Sequence, residues 1–261
     1  MADSTLLPDP KKLDRFIQRK GNSPPISALT AYDYPVARLL DEAGIEIILV
    51  GDSLGMMVFG HEDTTQVTVE MMIHHTRACR KGVRSAALVA DLPCHSYETP
   101  DSAVAVAELL TEAGADAVKL EGGIEVIPQV NAIIHSGITV IGHIGMLPQR
   151  VREEGGYKKK GKTSTCAQRL LTDAAELDAA GVKAIVLENI VAELAGRITT
   201  AVSIPTIGIA AGPGCDGQIL VVHDLLGSYP WFCPGFVKPQ ANLASETSRA
   251  VKAFIENLTR I

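Results

Sequence analysis

Short apolar segments recur along the chain, and several of them end at a carboxylate. The clearest is Glu46-Ile-Ile-Leu-Val-Gly-Asp-Ser-Leu-Gly55, where branched apolar side chains give way to a glycine, an acid and a hydroxyl. Runs of this kind are typical of strands buried on both faces of a sheet. The stretch therefore predicts a buried strand with the carboxylate of Asp52 at its mouth.

The same order of helix end, glycine, apolar strand and acid occurs twice more. It is found in Glu112-Ala-Gly-Ala-Asp-Ala-Val-Lys-Leu-Glu121 and in Ala179-Ala-Gly-Val-Lys-Ala-Ile-Val-Leu-Glu188. The glycines of the three repeats suit the left-handed conformation in which many helices end: Gly44, Gly114 and Gly181. We therefore expect the repeats to deliver the carboxylates of Asp52, Glu121 and Glu188 to one rim.

Strands and helices are predicted to alternate along the chain. Five predicted strands are given by both ends: 26–30, 86–90, 138–142, 206–210 and 219–222. Three more are the strand that begins at residue 46 and the strands that end at residues 121 and 188. Helices are expected near residues 35–43, 69–80, 101–112, 166–180, 191–200 and 245–258. The longest interruption is a loop at 147–165, and loops of that length in compact domains are often functional lids.

This alternation of short apolar strands with helices predicts an α/β fold, the (β/α)₈ TIM barrel, and a doubly wound open sheet is the alternative. A length of 261 residues with 46% hydrophobic residues suits one barrel domain over 1–261, with a short polar N-terminal tail and a C-terminal helix. Active sites of such barrels lie at the C-terminal ends of the strands. The candidate residues at those ends are Asp52, Asp91, Lys119, Glu121, His143 and Glu188.

Charge and cysteine content narrow the class of ligand. The formal net charge is -6 and the pI is near 5.7, which argues against nucleic acid or an anionic membrane as a partner. No apolar run is long enough to cross a bilayer, and the first residues lack the features of a secretory signal. The 5 cysteines include no Cys-x-x-Cys pair, so we expect reduced thiols in the cytoplasm. A small-molecule ligand is the expected partner.

Asp52, Asp91 and Glu121 are predicted to place three carboxylates close together. Without a cation they would repel one another and raise each other's pKa values. Oxygen ligands with no cysteine or paired histidine favour Mg²⁺ over zinc. The alternative is that each acid only caps the helix that follows it, but the presence of all three favours a metal site.

Lys119 and Glu121 are two positions apart on one strand, so both side chains should face one site. Lys119 can hold a substrate carboxylate or form a Schiff base, and a metal that polarises a carbonyl makes the Schiff base redundant. A structural ion pair with a neighbouring acid is the alternative. His143 either contacts the substrate or only hydrogen-bonds within the rim.

Glu188 follows apolar strand residues, which would raise its pKa and suit it to act as a general base. The alternative is that Glu188 is a fourth metal ligand.

The glycine-rich segment 208–217 is a weak candidate for a phosphate site because it lacks a clean helix start. The lysine-rich run 158–162 is typical of a solvated loop face, and contact with an anionic ligand tail is the alternative.

Taken together in their order, several segments resemble the ketopantoate hydroxymethyltransferase (3-methyl-2-oxobutanoate hydroxymethyltransferase) family over roughly residues 10–240. The matching segments are Leu29-Thr-Ala-Tyr-Asp-Tyr34, Leu49-Val-Gly-Asp-Ser-Leu-Gly-Met56, Ala90-Asp-Leu-Pro93, Val118-Lys-Leu-Glu-Gly-Gly123, Gly142-His-Ile-Gly145 with Pro148-Gln149, Gly155-Gly-Tyr-Lys158, Val186-Leu-Glu188 and Asp216-Gly-Gln-Ile-Leu-Val-Val-His-Asp224. So many blocks in an unbroken order are highly specific.

The resemblance implies transfer of a hydroxymethyl group from 5,10-methylenetetrahydrofolate to 3-methyl-2-oxobutanoate, giving 2-dehydropantoate (ketopantoate), through a Mg²⁺-stabilised enolate. This reaction leads to pantothenate and coenzyme A. The family pattern also implies a barrel of the phosphoenolpyruvate/pyruvate type and a homodecamer built as two pentamers. Matching motifs imply that Asp52, Asp91 and Glu121 form the Mg²⁺ site, with Asp52 and Asp91 bound partly through water or shared with the substrate.

Matching motifs also imply the residues that bind the keto acid and move its proton. The implied substrate-binding residues are Asp52, Ser53, Asp91, Lys119 and His143. Glu188 matches the proton acceptor of the family. Two positions depart from the family pattern on the presumed folate side: Ala210 stands where a glycine is expected, and Leu147 where a threonine is common.

Two other functions remain open from the sequence. One is another Mg²⁺-dependent, enolate-forming lyase or mutase of the phosphoenolpyruvate barrels, which would be expected to carry a cysteine-bearing catalytic loop that the sequence does not show. The other is a noncatalytic barrel that binds a keto acid. A proton-exchange assay distinguishes the noncatalytic barrel from an enzyme.

Overall fold

The structure of the protein, a computed structural model, describes residues 7–259. A closed barrel of parallel strands joined in chain order confirms the predicted (β/α)₈ fold. The strands are β1 Ile26–Thr30, β2 Ile47–Val50, β3 Ala87–Asp91, β4 Ala117–Glu121, β5 Val140–Gly145, β6 Ala184–Glu188, β7 Thr206–Ile209 and β8 Gly217–Leu220.

The helices precede, connect or follow the strands along the chain. They are α1 Asp14–Ile17, α2 Tyr34–Glu42, α3 Leu54–Met57, α4 Val69–Arg80, α5 Pro100–Glu112, α6 Ile127–His135, α7 Ser164–Ala180, α8 Ala192–Ala201, α9 Val222–Leu226 and α10 Leu243–Leu258. The sequence predicted the bounds of α4 without error, because Thr68 caps its first turn through a side-chain hydrogen bond to the backbone N–H of Met71. Helices α1, α3, α6 and α9 were not among the predicted elements.

The predicted bounds of β5 and β8 were wrong. Strand β5 continues through Gly142 to Gly145, because its ladder to β6 pairs Gly142 with Ile185 and Gly145 with Glu188. A glycine normally weakens a strand, but here a Cβ on Gly142 would stand 2.9 Å from Leu177, so the glycine lets α7 pack closely. Strand β8 begins at Gly217, two residues earlier than predicted, where its ladder to β7 starts.

The barrel interior is filled by one apolar cluster. It comprises Leu13, Phe16, Ile26, Ala28, Ile47, Leu49, Ala87, Val89, Ala117, Ile141, Ala184, Val186, Ile207 and Ile219. Layers of this kind make the centre of a TIM barrel a packed core and not a pore. The strands therefore supply stability inside the barrel and leave chemistry to the residues at their ends.

Two acids before strands are structural. The carboxylate of Asp116, which precedes β4, accepts hydrogen bonds from Arg80 at 3.1 Å and from the backbone N–H of Leu88 at 2.8 Å. Asp216, which precedes β8, accepts hydrogen bonds from Lys20 Nζ and from the backbone N–H of Gly21, both at 2.8 Å. These acids tie the N-terminal segment and helix α4 to the amino ends of strands, where barrels are stabilised.

The described chain forms two compact units, one that ends at Ile219 and one that begins at Leu220. The first contains the barrel strands up to the start of β8, and the second contains α9 and α10. Within residues 7–259, no helix combines the length and apolar character needed to cross a membrane. That the whole of 1–261 is one domain stays a prediction.

Candidate active site

The carboxyl ends of β3 to β6 bring most of the predicted site residues together. Their register pairs Asp91 with Lys119, Glu121 with His143, and Gly145 with Glu188. Lys119 and Glu121 both approach His143, with Lys119 Nζ 3.3 Å and Glu121 Oε1 3.5 Å from Nδ1 of the imidazole. The prediction that these two side chains face one site is therefore confirmed.

Asp52 and Asp91 meet at the mouth of β2 and β3. The backbone N–H of Asp52 donates to Asp91 Oδ2 at 3.1 Å, and Lys119 Nζ forms an ion pair with Asp91 Oδ1 at 2.8 Å. All three side chains are buried. Lys119 thus carries its charge next to an acid in a site with little solvent, where an ion pair is screened weakly.

His143 lies between Lys119 and Glu188, and its contact with Lys119 assigns the tautomer of the ring. The ammonium group of Lys119 has only N–H donors, so the facing Nδ1 of His143 accepts, and the neutral ring carries its proton on Nε2. Nε2 lies 3.2 Å from Glu188 Oε2. Burial and the charge of Lys119 hold the pKa of His143 well below its usual range, which keeps the ring neutral.

Glu121 and Asp52 are held by one residue of the loop that follows β5. The backbone N–H of Gln149 donates to Glu121 Oε2 at 3.1 Å, and its side-chain Nε2 donates to Asp52 Oδ2 at 2.8 Å. The same Nε2 donates to the carbonyl of Leu92 at 2.9 Å. On the other side of the amide, Tyr97 OH donates to Gln149 Oε1 at 2.6 Å.

Ser53 stands next to Asp52 at the start of α3 and is partly buried. Its Oγ lies 2.8 Å from the hydroxyl of Tyr32, which follows β1. The geometry fixes this hydroxyl beside the acids and leaves it available to a ligand at the rim. The role of Ser53 in substrate binding stays a prediction.

Burial and like charges shift the proton affinities of the acids. Burial, together with the charge of Asp91, raises the pKa of Asp52 to about 7. Burial and the charge of Asp52 raise the pKa of Glu121 well above its usual range. Burial raises the pKa of Glu188 to about 7, although the charge of Lys119 opposes the shift. Burial alone would lower the pKa of Lys119, but the charges of Asp91 and its acidic neighbours raise it.

The acids suit a hard cation in chemical type. Asp52, Asp91 and Glu121 offer carboxylate oxygens, and Glu121 Oε1 is buried without a hydrogen-bond partner. A cation would offset the burial and the like-charge repulsion that raise the pKa values of Asp52 and Glu121. Within residues 7–259, however, no three acidic, histidine or cysteine side chains converge as metal ligands. The metal assignment therefore stays a prediction.

Sequence reasoning assigned no role to Gln149, Tyr97 or Tyr32. Gln149 and Tyr32 lie within the segments that resemble the family, which was the available signal, but a neutral side chain in a loop shows no pattern of its own. Tyr97 had no signal at all. All three act through side-chain contacts between distant parts of the chain, such as the contact of Gln149 with Asp52, 97 positions away.

The segments on the presumed folate side lie close to one another. Lys159 Nζ donates to the carbonyl of Ala210 at 3.1 Å, and Lys158 Nζ donates to that of Glu154 at 2.8 Å. Lys160 pairs with the Glu154 carboxylate at 2.5 Å, and the side chains of Lys158 and Lys159 are exposed. Ala210 has a φ of 53°, a left-handed conformation that explains why a glycine is expected there.

Comparison with solved structures supports the architecture. A 2,3-dimethylmalate lyase of the PEP mutase/isocitrate lyase superfamily has a TM-score of 0.63 at 18% identity, over 97% of this chain and 88% of that chain. The phosphoenolpyruvate phosphomutase from Streptomyces platensis subsp. rosaceus has a TM-score of 0.64 at 14% identity, with coverage of 97% and 88%. At these identities the similarity shows the fold alone.

Comparison of sequences is more specific. The 3-methyl-2-oxobutanoate hydroxymethyltransferase of Syntrophus aciditrophicus is 52% identical over 246 residues, which is 94% of this chain and 90% of the relative. That of Acetivibrio thermocellus is 49% identical over 245 residues, which is 93% of this chain and 87% of the relative. A family model described as ketopantoate hydroxymethyltransferase matches residues 10–260. The chain therefore belongs to the ketopantoate hydroxymethyltransferase family.

Proposed function

We propose that the protein transfers a hydroxymethyl group from 5,10-methylenetetrahydrofolate to 3-methyl-2-oxobutanoate and thereby forms 2-dehydropantoate. Membership of the family supports the reaction and the pair of substrates. The observation that carries the mechanism is the row of Lys119, His143 and Glu188, in which a neutral, buried imidazole lies 3.3 Å from the ammonium group and 3.2 Å from the partly exposed carboxylate. The reaction requires both a site for the keto acid's carboxylate and a base for its C3 proton.

Lys119 binds the substrate carboxylate in this proposal. Its ammonium is buried and already faces the acid Asp91 at 2.8 Å, so a second carboxylate at the rim would share the charge. The raised pKa of Lys119 keeps it protonated, which suits a charge clamp and opposes Schiff-base chemistry, because a Schiff base needs a neutral amine. Ser53, held by Tyr32, supplies a hydroxyl beside the substrate.

Glu188 removes the C3 proton. Its pKa is raised to about 7, so near neutral pH a substantial fraction is ionised and has the proton affinity of an effective base. Its side chain is 18% exposed, whereas those of Glu121 and His143 are each 2% exposed, so Glu188 is accessible to substrate from the mouth. His143 Nε2 lies 3.2 Å from Glu188 Oε2, so the imidazole is next to the carboxylate.

Asp52, Asp91 and Glu121 would hold the cation, for which Mg²⁺ fits the oxygen donors. Bound Mg²⁺ supplies positive charge that favours enolate formation from the keto acid. Lys119 orients the substrate carboxylate in the same site, and the apolar barrel core beneath it excludes water. The protein thereby holds C3 of the keto acid toward Glu188 and the co-substrate.

The folate co-substrate would approach from the side of the loop 147–165. Tyr157, in this loop, donates to Met56 Sδ at 3.7 Å, so the loop contacts α3, the helix that begins directly after Ser53. Exposed Lys158 and Lys159 suit contact with the anionic tail of a polyglutamylated folate. A role for these lysines would be limited to folate, because neither contacts Lys119 or the acids that surround it.

Deuterium exchange tests the proposal. With Mg²⁺, 3-methyl-2-oxobutanoate and no folate, the wild-type protein should exchange the C3 hydrogen with solvent deuterium, measured by NMR. Glu188→Gln should slow this exchange by roughly 10² to 10⁴, the usual effect of removing a general base. Glu98→Gln, which changes an exposed acid paired with His95, is the matched control and should exchange at the wild-type rate.

Two outcomes would contradict the mechanism. Wild-type exchange in Glu188→Gln would assign the base to another residue. No exchange in the wild-type protein, even with a nonreactive folate analogue present, would favour the noncatalytic keto-acid-binding barrel. Exchange that appears only with the analogue would indicate an ordered reaction in which folate binds first.

We also infer self-association and a cytoplasmic location. The apolar side chains of α10 are more than half exposed at four positions: Val251, Phe254, Ile255 and Leu258. Such a face supports assembly. The proposed homodecamer of two pentamers can be tested by light scattering, which gives the mass of the assembly for comparison with the chain mass of 27.7 kDa.

The free cysteines among the described residues are in keeping with a reducing compartment, as in the cytoplasm: Cys79, Cys94, Cys166, Cys215 and Cys233.

A further inference from the structure

Gln149 is a neutral residue that contacts two of the acids predicted to bind the metal, Asp52 and Glu121. It lies in the short turn Pro148–Arg150 after β5 but is buried. Its backbone N–H holds one oxygen of Glu121, and its side-chain amide holds one oxygen of Asp52. The two acids come from different strands, so Gln149 fixes the position of each relative to the other.

The side-chain amide of Gln149 has only one satisfactory orientation. The Leu92 carbonyl that faces Nε2 can only accept, and Asp52 Oδ2 also accepts in the ionised form that a cation would bind. Tyr97 OH donates to Oε1 at 2.6 Å. A flipped amide would set an oxygen against the Leu92 carbonyl and the Asp52 carboxylate, which has a free-energy cost for buried polar groups, and it would break the short hydrogen bond from Tyr97, whose hydroxyl also lies 3.2 Å from the Glu121 carbonyl. Tyr97 therefore holds the donor of Gln149 toward Asp52.

The hydrogen bonds of Gln149 use one oxygen of each acid and leave the other. The oxygen of Glu121 that is left, Oε1, is buried without a hydrogen-bond partner. A buried orphan carboxylate oxygen is costly unless a ligand completes it. The arrangement thus leaves one oxygen of each acid without a hydrogen bond to Gln149.

We propose that Gln149 is a positioning residue, which aligns Asp52 and Glu121 to bind the divalent cation and is itself held by Tyr97. The inference rests on the proposed function, since it takes Mg²⁺ as the bound cation. It makes the first turn of the loop 147–165 part of the cation site, although no residue of this loop supplies a ligand. Residues that orient metal ligands through hydrogen bonds commonly change metal affinity by about 10- to 100-fold when they are altered.

Magnesium titration without substrate tests this role directly. Gln149→Met keeps the length of the side chain and the backbone N–H bond to Glu121 but removes the donor to Asp52. We expect the Kd for Mg²⁺, measured by calorimetry, to rise about 10- to 100-fold. Tyr97→Phe keeps the glutamine but frees its amide to turn, so a smaller rise of about 3- to 10-fold is expected. This second variant keeps the test valid if Gln149→Met does not fold.

Gln129→Met is the matched control. Gln129 is also a buried glutamine, and its amide donates to the carbonyls of Tyr97 and Glu98 at 3.2 Å, but it contacts neither acid. It should lower thermal stability as Gln149→Met does while leaving the Kd for Mg²⁺ unchanged. At saturating Mg²⁺, Gln149→Met should recover much of its turnover, since the loss lies in cation binding.

The outcomes separate this inference from the proposed function. If wild-type protein binds Mg²⁺ and both Gln149→Met and Tyr97→Phe bind it equally well, Gln149 is only structural and the inference is overturned. If the control variant loses the same affinity, the effect is a general loss of stability and the inference also fails. If wild-type protein binds no Mg²⁺, the metal assignment of the proposed function fails first and this inference fails with it.

Discussion

At the scale of single residues, Ala210 has a backbone conformation that alanine tolerates poorly. Its φ of 53° lies in the left-handed region, where the Cβ atom of an L-residue approaches the following carbonyl. The residue lies directly after β7, and its carbonyl accepts a hydrogen bond from Lys159. The strained residue therefore lies at the rim, on the presumed folate side.

Ala210→Gly should stabilise the protein. Removal of the left-handed strain is worth about 1 to 2 kcal/mol, and the greater freedom of glycine in the unfolded chain takes back about 0.4 to 1 kcal/mol. The free energy of unfolding, measured with urea, should rise by about 0.5 to 1 kcal/mol. Ala211→Gly, at the buried neighbouring position where φ is not left-handed, is the control and should destabilise. A loss of stability in Ala210→Gly would mean that the left-handed strain is relieved elsewhere.

At the scale of secondary-structure elements, the two ends of the strands use acids differently. At the carboxyl ends, Asp52, Glu121 and Glu188 have raised pKa values because they are buried without full compensation. Before β8, Asp216 is also largely buried but accepts several hydrogen bonds, and its pKa is lowered. The same residue type thus serves reactivity at one end of the barrel and stability at the other.

Asp216 should make stability depend on pH in the acidic range. Burial raises its pKa, but the hydrogen bonds from Lys20 and from the backbone N–H groups of Thr206 and Gly21 outweigh this and lower it. A lowered folded-state pKa contributes stability above the unfolded pKa, near 3.9, which is lost as pH falls through the folded value. Asp216→Asn should cost about 2 to 3 kcal/mol at pH 7, the usual range for hydrogen bonds to a charged group.

The difference between wild type and Asp216→Asn, followed by urea unfolding from pH 7 to pH 2, is the decisive quantity. It should stay constant at neutral pH and shrink below about pH 4, because the wild-type carboxylate becomes protonated there. Asp101→Asn, an exposed acid in the first turn of α5, is a suitable control with a small effect. A difference that does not change with pH would show that the charge of Asp216 contributes nothing.

At the scale of the whole molecule, function depends on the closure of the barrel. Asp52 lies after β2 and Glu188 at the end of β6, and they share one site only because the strands form a closed ring. The carboxylates of this site are buried with too little positive charge around them, so the protein is predicted to require a cation. The reason is electrostatic, since buried like charges need a counter-charge.

Chelation should abolish turnover, and Mg²⁺ should restore it. Excess EDTA should stop formation of 2-dehydropantoate from keto acid and folate, because the enolate then loses its stabilising charge. Circular dichroism before and after EDTA should be unchanged, which separates loss of chemistry from unfolding. Full turnover in excess chelator would contradict the cation site and leave Lys119 as the charge that supports the enolate.

Local sequence determined the positions of most strands and the chemistry at their ends. Short, uniformly apolar runs bounded by turn residues are typical of strands buried in a parallel sheet, so β1 and the acids Asp52, Asp91, Glu121 and Glu188 at strand ends were predicted from neighbours in sequence alone. Family membership followed from the order of many short segments. The role of Ser53 came from resemblance alone, whereas Lys119 and His143 were already candidates from their positions at strand ends. All three roles remain to be tested by experiment.

Tertiary structure alone decided the contacts that orient these groups. The imidazole of His143 acquires its tautomer from Lys119 and meets Glu188 because β4, β5 and β6 are adjacent in register. Gln149 reaches Asp52 and Glu121 only because the loop after β5 turns inward over the rim. Such contacts depend on long-range packing and hydrogen-bond direction, which leave no periodic pattern in the sequence, whereas burial of an apolar strand does.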